Sequence, residues 1–333
     1  MKDLETRHTP VARIAARAQA KTNLLLAVGA LGADGYHPLT TVFHAVELAN
    51  TVTLTAYSPR QVPWHRGDSR VLGLRVRGLH AHKVPNDSSN LAWRAVDLVT
   101  AELVQRGYDP STLPAVVIEI TKQVPTAGGM AGGSADGAAA IKAAAQLFAD
   151  GLLAEERSTL LAMCAILGAD VPFSFVGRTQ LGTGRGDELV EMMVRGRYHW
   201  VMAAQSDGLS TPAVFRRFDE MTPPRDSLAS VDVTAMAQAL RSGDPAALAP
   251  LLHNDLQPAA LSLMPKLHSV LDAGRSAGAL AGIVSGSGPT CVFLCRDAQH
   301  AQDVAEELHD TGKAMVAVAT SGPAAGATLV TEE

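Results

Sequence analysis

The segment from Gly128 to Gly133 contains four glycines, and Ser134 follows it directly. Glycine adopts positive φ angles readily and lets the backbone approach a ligand closely, so successive N–H groups can converge on one anion. The segment 115–124 (AVVIEITKQV) predicts a strand, and 138–148 (AAAIKAAAQLF) predicts a helix. Because a helix N-terminus carries unpaired N–H groups and partial positive charge, this position predicts a phosphate site. A flexible glycine-rich connection is the alternative.

The known phosphate-binding signatures narrow the class of this loop. The chain has no G-x-x-x-x-G-K-[ST] and no G-x-G-x-x-G, which argues against a P-loop and against a dinucleotide site. It also lacks H-R-D and D-F-G, the signatures of protein kinases, and the zinc signature H-E-x-x-H. The loop therefore predicts a nucleotide site of another class.

Composition and charge limit the expected partners. The 333 residues carry a net charge of −5, whereas nucleic-acid binders usually carry a basic excess, so we expect no nucleic-acid partner. The N-terminus lacks the apolar region of a signal peptide, and no apolar run approaches the ~20 residues of a membrane span. We therefore expect a cytoplasmic protein with no membrane partner. The three cysteines, Cys164, Cys291 and Cys295, are too few for a disulfide framework.

The elements that must position the loop alternate between strands and helices. Apolar and alternating segments predict strands before the loop, and an amphipathic helix follows Asn90. The C-terminal part mixes helices with strands, the last of them at 314–322, so we expect an α+β (mixed α/β) fold. The length favours two domains. R-G-R at 195–197 suggests a division into 1–197, with 1–12 as a loose extension, and 198–333.

Several segments resemble the GHMP kinases, a superfamily that includes galactokinase, homoserine kinase and mevalonate kinase. P-T-A-G-G-M-A-G-G-S-A at 125–135 resembles their phosphate-binding motif, and V-S-G-S-G-P-T-C-V-F at 284–293 resembles their third motif. K-x-N at 21–23 followed by D-G-Y-H at 34–37 is similar to the N-terminal motif of one branch of this superfamily, whose substrate carries a cytidine diphosphate group. The other segments that resemble this branch are A-Q-A-K-T-N-L-L-L at 18–26, G-A-D-V-P-F at 168–173, L-G-T-G-R-G-D-E-L at 181–189 and L-S-T-P-A-V-F at 209–215.

The resemblance implies both an architecture and an activity. The N-terminal ATP-binding domain is expected to resemble ribosomal protein S5 domain 2 and the C-terminal domain to be ferredoxin-like, with the active site in the cleft between them. The implied reaction is ATP-dependent phosphorylation of the 2-hydroxyl of 4-diphosphocytidyl-2-C-methyl-D-erythritol. Its products are the 2-phosphate and ADP, on the non-mevalonate route to isoprenoid precursors.

Two residues are expected to carry the transfer step. Asp170 is the candidate base for the substrate hydroxyl, although an Asp at a helix end also caps local N–H groups. Lys21 is expected to orient Asp170, keep it ionised and stabilise charge on the phosphoryl group, although a solvated lysine at a strand edge is the alternative. Both catalytic roles follow from the resemblance.

The resemblance also assigns residues to the two ligands. Tyr36 and His37 are expected to hold the cytosine, Phe215 to supply a second stacking face, and Asn23, Thr211, Asp170 and Gly286 to contact the substrate. Ser134 is expected to bind a phosphate or Mg²⁺, and Asn90 to contact adenine or cap its helix. The ATP set is Pro125, Ala127, Gly128, Gly129, Met130, Ala131, Gly132, Gly133, Ser134, Ala135 and Asn90.

Two other functions stay open at this point. One is another GHMP small-molecule kinase such as homoserine kinase, and D-G-Y-H argues against it because those relatives need no cytosine pocket. The other is a non-catalytic nucleotide-binding sensor, against which Lys21 and Asp170 together argue. The oligomeric state is expected to be a monomer or a weak homodimer.

Overall fold

The computed structural model describes residues 8–65, 67–125, 128–223 and 231–330. The strands of these residues are β1 (Ala12–Val28), β2 (Leu39–Tyr57), β3 (Val71–Gly78), β4 (Ala115–Lys122), β5 (Thr179–Thr183), β6 (Glu188–Glu191), β7 (Tyr198–Ala204), β8 (His253–Asn254), β9 (Ala281–Val284), β10 (Cys291–Cys295), β11 (Val316–Gly322) and β12 (Thr328–Val330). The α-helices are α1 (Leu91–Gln105), α2 (Gly132–Leu147), α3 (Arg157–Leu167), α4 (Val171–Val176), α5 (Thr211–Met221), α6 (Thr234–Ser242), α7 (Pro245–Leu248), α8 (Gln257–Leu263), α9 (Lys266–Ser276) and α10 (Ala298–Asp310).

The first sheet is built around β1 and β2, which pair antiparallel along most of their length. Its order is β12-β1-β2-β4-β3, with β3 parallel to β4. One half of β2 pairs with β4 and the other half with β5. Register shifts in β1 between Gln19 and Ala20 and between Asn23 and Leu25 mark bulges, which commonly lie beside functional sites.

Helix α2 begins within the segment 128–134, which is predicted to bind phosphate and which we call the phosphate loop. Its alanines favour helix, and their small side chains let the helix lie close against β1, β2 and α1, so that most of α2 is buried. Gly132 and Gly133, predicted as loop residues, form the first turn of this helix. The loop therefore ends directly at a helix N-terminus.

The second sheet is antiparallel, in the order β11-β7-β10-β9. Helices α5, α8, α9 and α10 cover one face and form an apolar core with it. Leu26 and Val28 of β1 pack into that same core. Other β1 residues join Trp200 and Met202 in a separate apolar core on the opposite face of β7. Strand β1 thus packs against the second sheet as well as forming the first.

The predicted mixed α/β, two-part architecture is confirmed. The prediction that 314–322 forms the last strand is wrong, because β12 follows and pairs with β1, Ala15 opposite Val330. Strand β8 also joins the first sheet, although it follows the predicted limit at 197. The domain limits stay a prediction. No helix of the described ranges is long and apolar enough to cross a membrane.

Candidate active site

Lys21 and Asp170 approach each other, as the transfer pair was predicted to do. Lys21 Nζ lies 3.7 Å from Asp170 Oδ2, with side chains 7% and 38% exposed. A buried ammonium needs partners, and Lys21 Nζ also donates to Asn23 Oδ1 at 2.8 Å. Asn23 Nδ2 in turn donates to Thr41 Oγ1 at 2.7 Å. This chain of hydrogen bonds fixes the position of the ammonium on β1.

Asp170 immediately precedes α4, and its carboxylate makes no capping hydrogen bond to that helix. The capping role that the sequence left open is therefore not observed. Pro172 lies in the first turn, where its missing N–H leaves no bond unmade. Asp170 also lines a large cavity, described below, so the start of α4 presents a carboxylate to this cavity.

The phosphate loop has a backbone that few residue types tolerate. Gly129 has a φ of +73°, and a Cβ there would lie 2.1 Å from the carbonyl oxygen of Ser285. Ala131, the residue before α2, has a φ of +54°. A non-glycine residue in this region is strained, and such strain is common at binding sites. The loop is thus held in one shape at the N-terminus of α2.

Contacts from the second sheet hold that shape. Ser285 Oγ donates to the Gly129 carbonyl at 3.2 Å, and the Thr290 N–H donates to the Gly128 carbonyl at 3.3 Å. Ser285 and Thr290 belong to the glycine-containing turn between β9 and β10. This turn also contains Gly286, which has a φ of +54°. The predicted third motif therefore packs directly on the phosphate loop.

Three aromatic side chains line the same cavity, and we call them the aromatic cluster: Tyr36, His37 and Phe215. His37 stacks on Phe215 with ring centroids 5.1 Å apart and an interplanar angle of 25°. His37 Nδ1 donates to the Gly29 carbonyl at 2.9 Å, and Nε2 lies 3.4 Å from Asp219 Oδ2. Since a carbonyl only accepts, Nδ1 carries a proton, and Nε2 faces the Asp219 carboxylate.

One cavity of about 1010 Å³ gathers these groups. That volume is at the upper end of small-molecule sites, about 300–1,000 Å³, so it suits two ligands side by side. The predicted residues that line it are Lys21, Asn23, Tyr36, His37, Gly128, Gly129, Ala131, Gly132, Gly133, Ser134, Asp170, Thr211, Phe215 and Gly286.

The remaining predicted residues lie elsewhere. Pro125, Met130 and Ala135 are buried and do not line the cavity. Ala127 lies outside the described residues. Asn90 Oδ1 accepts from Ala92 N–H and its Nδ2 donates to the Pro85 carbonyl. Asn90 therefore caps α1, and its adenine contact stays a prediction.

Sequence reasoning missed several polar residues of the cavity. Asp219 was detectable, because it follows Thr211 and Phe215 at intervals of four and so shares their face of α5. Arg185, whose guanidinium carbon lies 4.4 Å from the Tyr36 ring centroid, was part of a quoted segment without a role. Asp187 and Ser287 also lay in quoted segments without a role, whereas Arg216 carried no sequence signal.

Charges along the cavity wall are balanced. Lys21, Arg185 and Arg216 oppose Asp170, Asp187 and Asp219. Without a net positive field, phosphates must be held by local N–H groups and by individual cations. Among the residues the structure describes, no group of three or more His, Cys, Asp or Glu side chains is arranged to hold a metal ion.

Family models and named relatives show which proteins this chain is similar to. The model described as "GHMP kinases N terminal domain" matches residues 90–178, and "GHMP kinases C terminal" matches 236–314. A Corynebacterium efficiens protein named 4-diphosphocytidyl-2-C-methyl-D-erythritol kinase is 50% identical over 94% of this chain and 95% of its own. A Streptomyces coelicolor protein of the same name is 47% identical over 95% and 99%.

Solved structures carry the same fold. A crystal structure of 4-(cytidine 5'-diphospho)-2C-methyl-D-erythritol kinase matches with a TM-score of 0.68 and 28% identity, covering 92% of this chain and 98% of its own. The mevalonate kinase of L. major, at 16% identity and a TM-score of 0.69 over 96% and 100% of the two chains, shows the fold alone. The chain therefore belongs to the GHMP kinases and, within them, to the family of 4-diphosphocytidyl-2-C-methyl-D-erythritol kinases.

Proposed function

We propose that the chain transfers the γ-phosphoryl group of ATP to the 2-hydroxyl of 4-diphosphocytidyl-2-C-methyl-D-erythritol, a step of non-mevalonate isoprenoid precursor synthesis. The observation that carries the proposal is the 3.7 Å approach of Lys21 Nζ to Asp170 Oδ2 on the cavity wall. The phosphate loop and the aromatic cluster line the same cavity. One space thus has groups suited to a donor, an acceptor and the transfer between them.

Asp170 and Lys21 divide the chemistry of the transfer. The substrate hydroxyl oxygen forms a bond to the γ-phosphorus while the bond to the β,γ-bridging oxygen breaks and ADP leaves. The hydroxyl proton goes to a carboxylate oxygen of Asp170. The Lys21 ammonium offsets negative charge on Asp170 and on the transferring phosphoryl group. Its bond to Asn23 keeps that charge in place during the step.

The donor phosphates are assigned to the loop and to the first turn of α2. Unpaired N–H groups at this helix start, together with its partial positive charge, favour phosphate oxygens. Mg²⁺ is expected to accompany ATP, and the hydroxyl of Ser134 is a hard oxygen ligand of the kind it prefers. When bound, the metal would neutralise charge on the β- and γ-phosphates.

The cytidine group is assigned to the aromatic cluster. A pyrimidine ring stacks on aromatic faces, and the His37 ring and the Asp219 carboxylate line the cavity beside each other. Phe215 is partly buried and packs against the core of the second sheet, but unlike the buried Val214 and Phe218 of the same helix it also lines the cavity. The position of Phe215 therefore supports a stacking role over that of an ordinary core aromatic.

The proposal is tested by ADP release from ATP with a panel of acceptors. We expect turnover with 4-diphosphocytidyl-2-C-methyl-D-erythritol and none above background with homoserine, mevalonate or the same alcohol without its cytidyl group. Turnover on homoserine or mevalonate alone would refute the assignment. ATP binding without turnover on any acceptor would support the non-catalytic alternative.

A further inference from the structure

A buried ion pair lies beside the phosphate loop but outside the cavity wall. Lys122, the last residue of β4, places Nζ 2.7 Å from Oδ2 of Asp136 in α2. The two side chains are 1% and 2% exposed. Such a pair contributes little net stability compared with apolar residues of similar volume. Its presence beside the loop therefore calls for an explanation other than stability.

The same groups also bind the loop backbone. Lys122 Nζ donates to the Gly132 carbonyl at 3.0 Å. Asn50 Nδ2 donates to Asp136 Oδ1 at 2.8 Å and to the Gly132 carbonyl at 3.1 Å. Asn50 Oδ1 accepts from the N–H groups of Gln123 and Val124 at 3.0 and 2.9 Å. Asn50 thus holds the chain where it enters the loop, and both donors hold it where α2 begins.

The charges of the pair matter for an anion bound at the start of α2. Burial raises the pKa of Asp136, while the charge and hydrogen bonds of Lys122 and Asn50 oppose that rise. An unpaired carboxylate in the first turns of α2 would repel a phosphate at the same helix end. Lys122 cancels this charge without entering the cavity, so the N–H groups of the helix start stay attractive to an anion.

We propose that Asn50, Lys122 and Asp136 form a positioning network that sets the backbone of the loop for the ATP phosphates. The proposal rests on the proposed function in that ATP is the ligand of this loop. The three residues do not line the cavity. They act through Gly132, which lines the cavity.

The test uses the full chain with the double variant Lys122→Met and Asp136→Leu. The double variant replaces the ion pair by apolar side chains and is expected to keep the melting temperature near that of the parent. Because it loses the Lys122 bond to Gly132 and the carboxylate that Asn50 binds, the Kd for ATP by calorimetry and the KM for ATP should rise about tenfold or more. The KM for the cytidyl-linked alcohol should stay within about twofold.

Asp97→Asn is the matched control, because Asp97 is a partly buried carboxylate that hydrogen-bonds Ser69 instead of the loop. Its ATP affinity should equal that of the parent. A folded double variant whose Kd and KM for ATP match the parent would overturn the network, leaving the pair a structural feature only. If the parent binds ATP but phosphorylates no cytidyl-linked alcohol, the proposed function fails, and the calorimetric Kd still decides the network.

Discussion

The two ends of the cavity are built in different ways. The donor end is one continuous segment, Gly128 to Ser134, and it offers mainly backbone to its ligand. The acceptor end is assembled from side chains of separate segments, with Tyr36 and His37 before β2 and Phe215 on α5. Backbone recognition suits a phosphate that many relatives share, whereas side chains can distinguish one acceptor from another. Substitutions should therefore separate the two ends.

Asp170→Asn addresses the junction of the two ends and should have the largest effect. The amide cannot accept the hydroxyl proton as a carboxylate does, so we expect kcat to fall about 1,000-fold. ATP affinity should change less than about threefold, because the loop and not Asp170 is proposed to hold the phosphates. ADP release and calorimetry measure the two quantities.

Asp187→Asn is the control for that variant, since Asp187 is another carboxylate of the cavity wall, and one of its oxygens accepts from the Arg185 N–H. An equal loss of kcat in both variants would show that the cavity needs negative charge in general. It would then remove the special role of Asp170.

Gly129→Ala addresses the donor end alone. The residue has a φ of +73°, and its new methyl group would meet the Ser285 carbonyl, so the loop must shift. We expect kcat/KM for ATP to fall about 100-fold, the effect of a misplacement near 1 Å. The KM for the alcohol should hardly change in initial-rate kinetics.

The matched control is Gly133→Ala, where the nearest atom to a new Cβ is Leu91 Cδ1 at 3.9 Å. Its loss should be at least about fivefold smaller, because the helical backbone tolerates alanine. Equal losses would mean that glycine serves to keep space for the ligand instead of setting the shape of the loop.

Phe215→Leu addresses the acceptor end alone. Leucine keeps most of the volume but removes the aromatic face, and stacking on a base contributes about 1–3 kcal/mol. We expect the KM for the cytidyl-linked alcohol to rise about 5- to 150-fold with an unchanged KM for ATP. A rise in both constants would indicate that the two ends are not independent.

Asp219→Asn should have the smallest effect. Its carboxylate is 42% exposed and lies 3.4 Å from Nε2 of His37, whose side chain is 6% exposed. Because solvent reaches the carboxylate, we expect this contact to contribute about 0–1 kcal/mol. We expect the KM for the alcohol to rise no more than about fivefold. Glu220→Gln, in the neighbouring exposed pair with Arg217, should leave this KM unchanged. An effect as large as that of Phe215→Leu would make Asp219 a direct ligand of the substrate.

The difference between one continuous segment and side chains from separate segments also explains which features could be predicted from the sequence. The strand, glycine loop and helix are consecutive, so local patterns predicted these three elements from residue types alone. Lys21 and Asp170 lie far apart in the chain, and their pairing at 3.7 Å was expected only from the family resemblance. Strands β8 and β12, with two and three residues, are too short for a periodic signal. Lys122 and Asp136 gave no signal because their partners come from three separate elements.

The contact between Gly129 and Ser285 has a thermodynamic consequence. It joins a loop of the first sheet to the β9–β10 turn of the second, and both turns line the cavity in which we propose that the nucleotide binds. A ligand bound there stabilises only conformations in which the two turns meet, by about 2.7 kcal/mol at a concentration of 100 Kd. Nucleotide should therefore slow amide hydrogen exchange in β10 as well as in α2, with both halves of the molecule protected by one binding event.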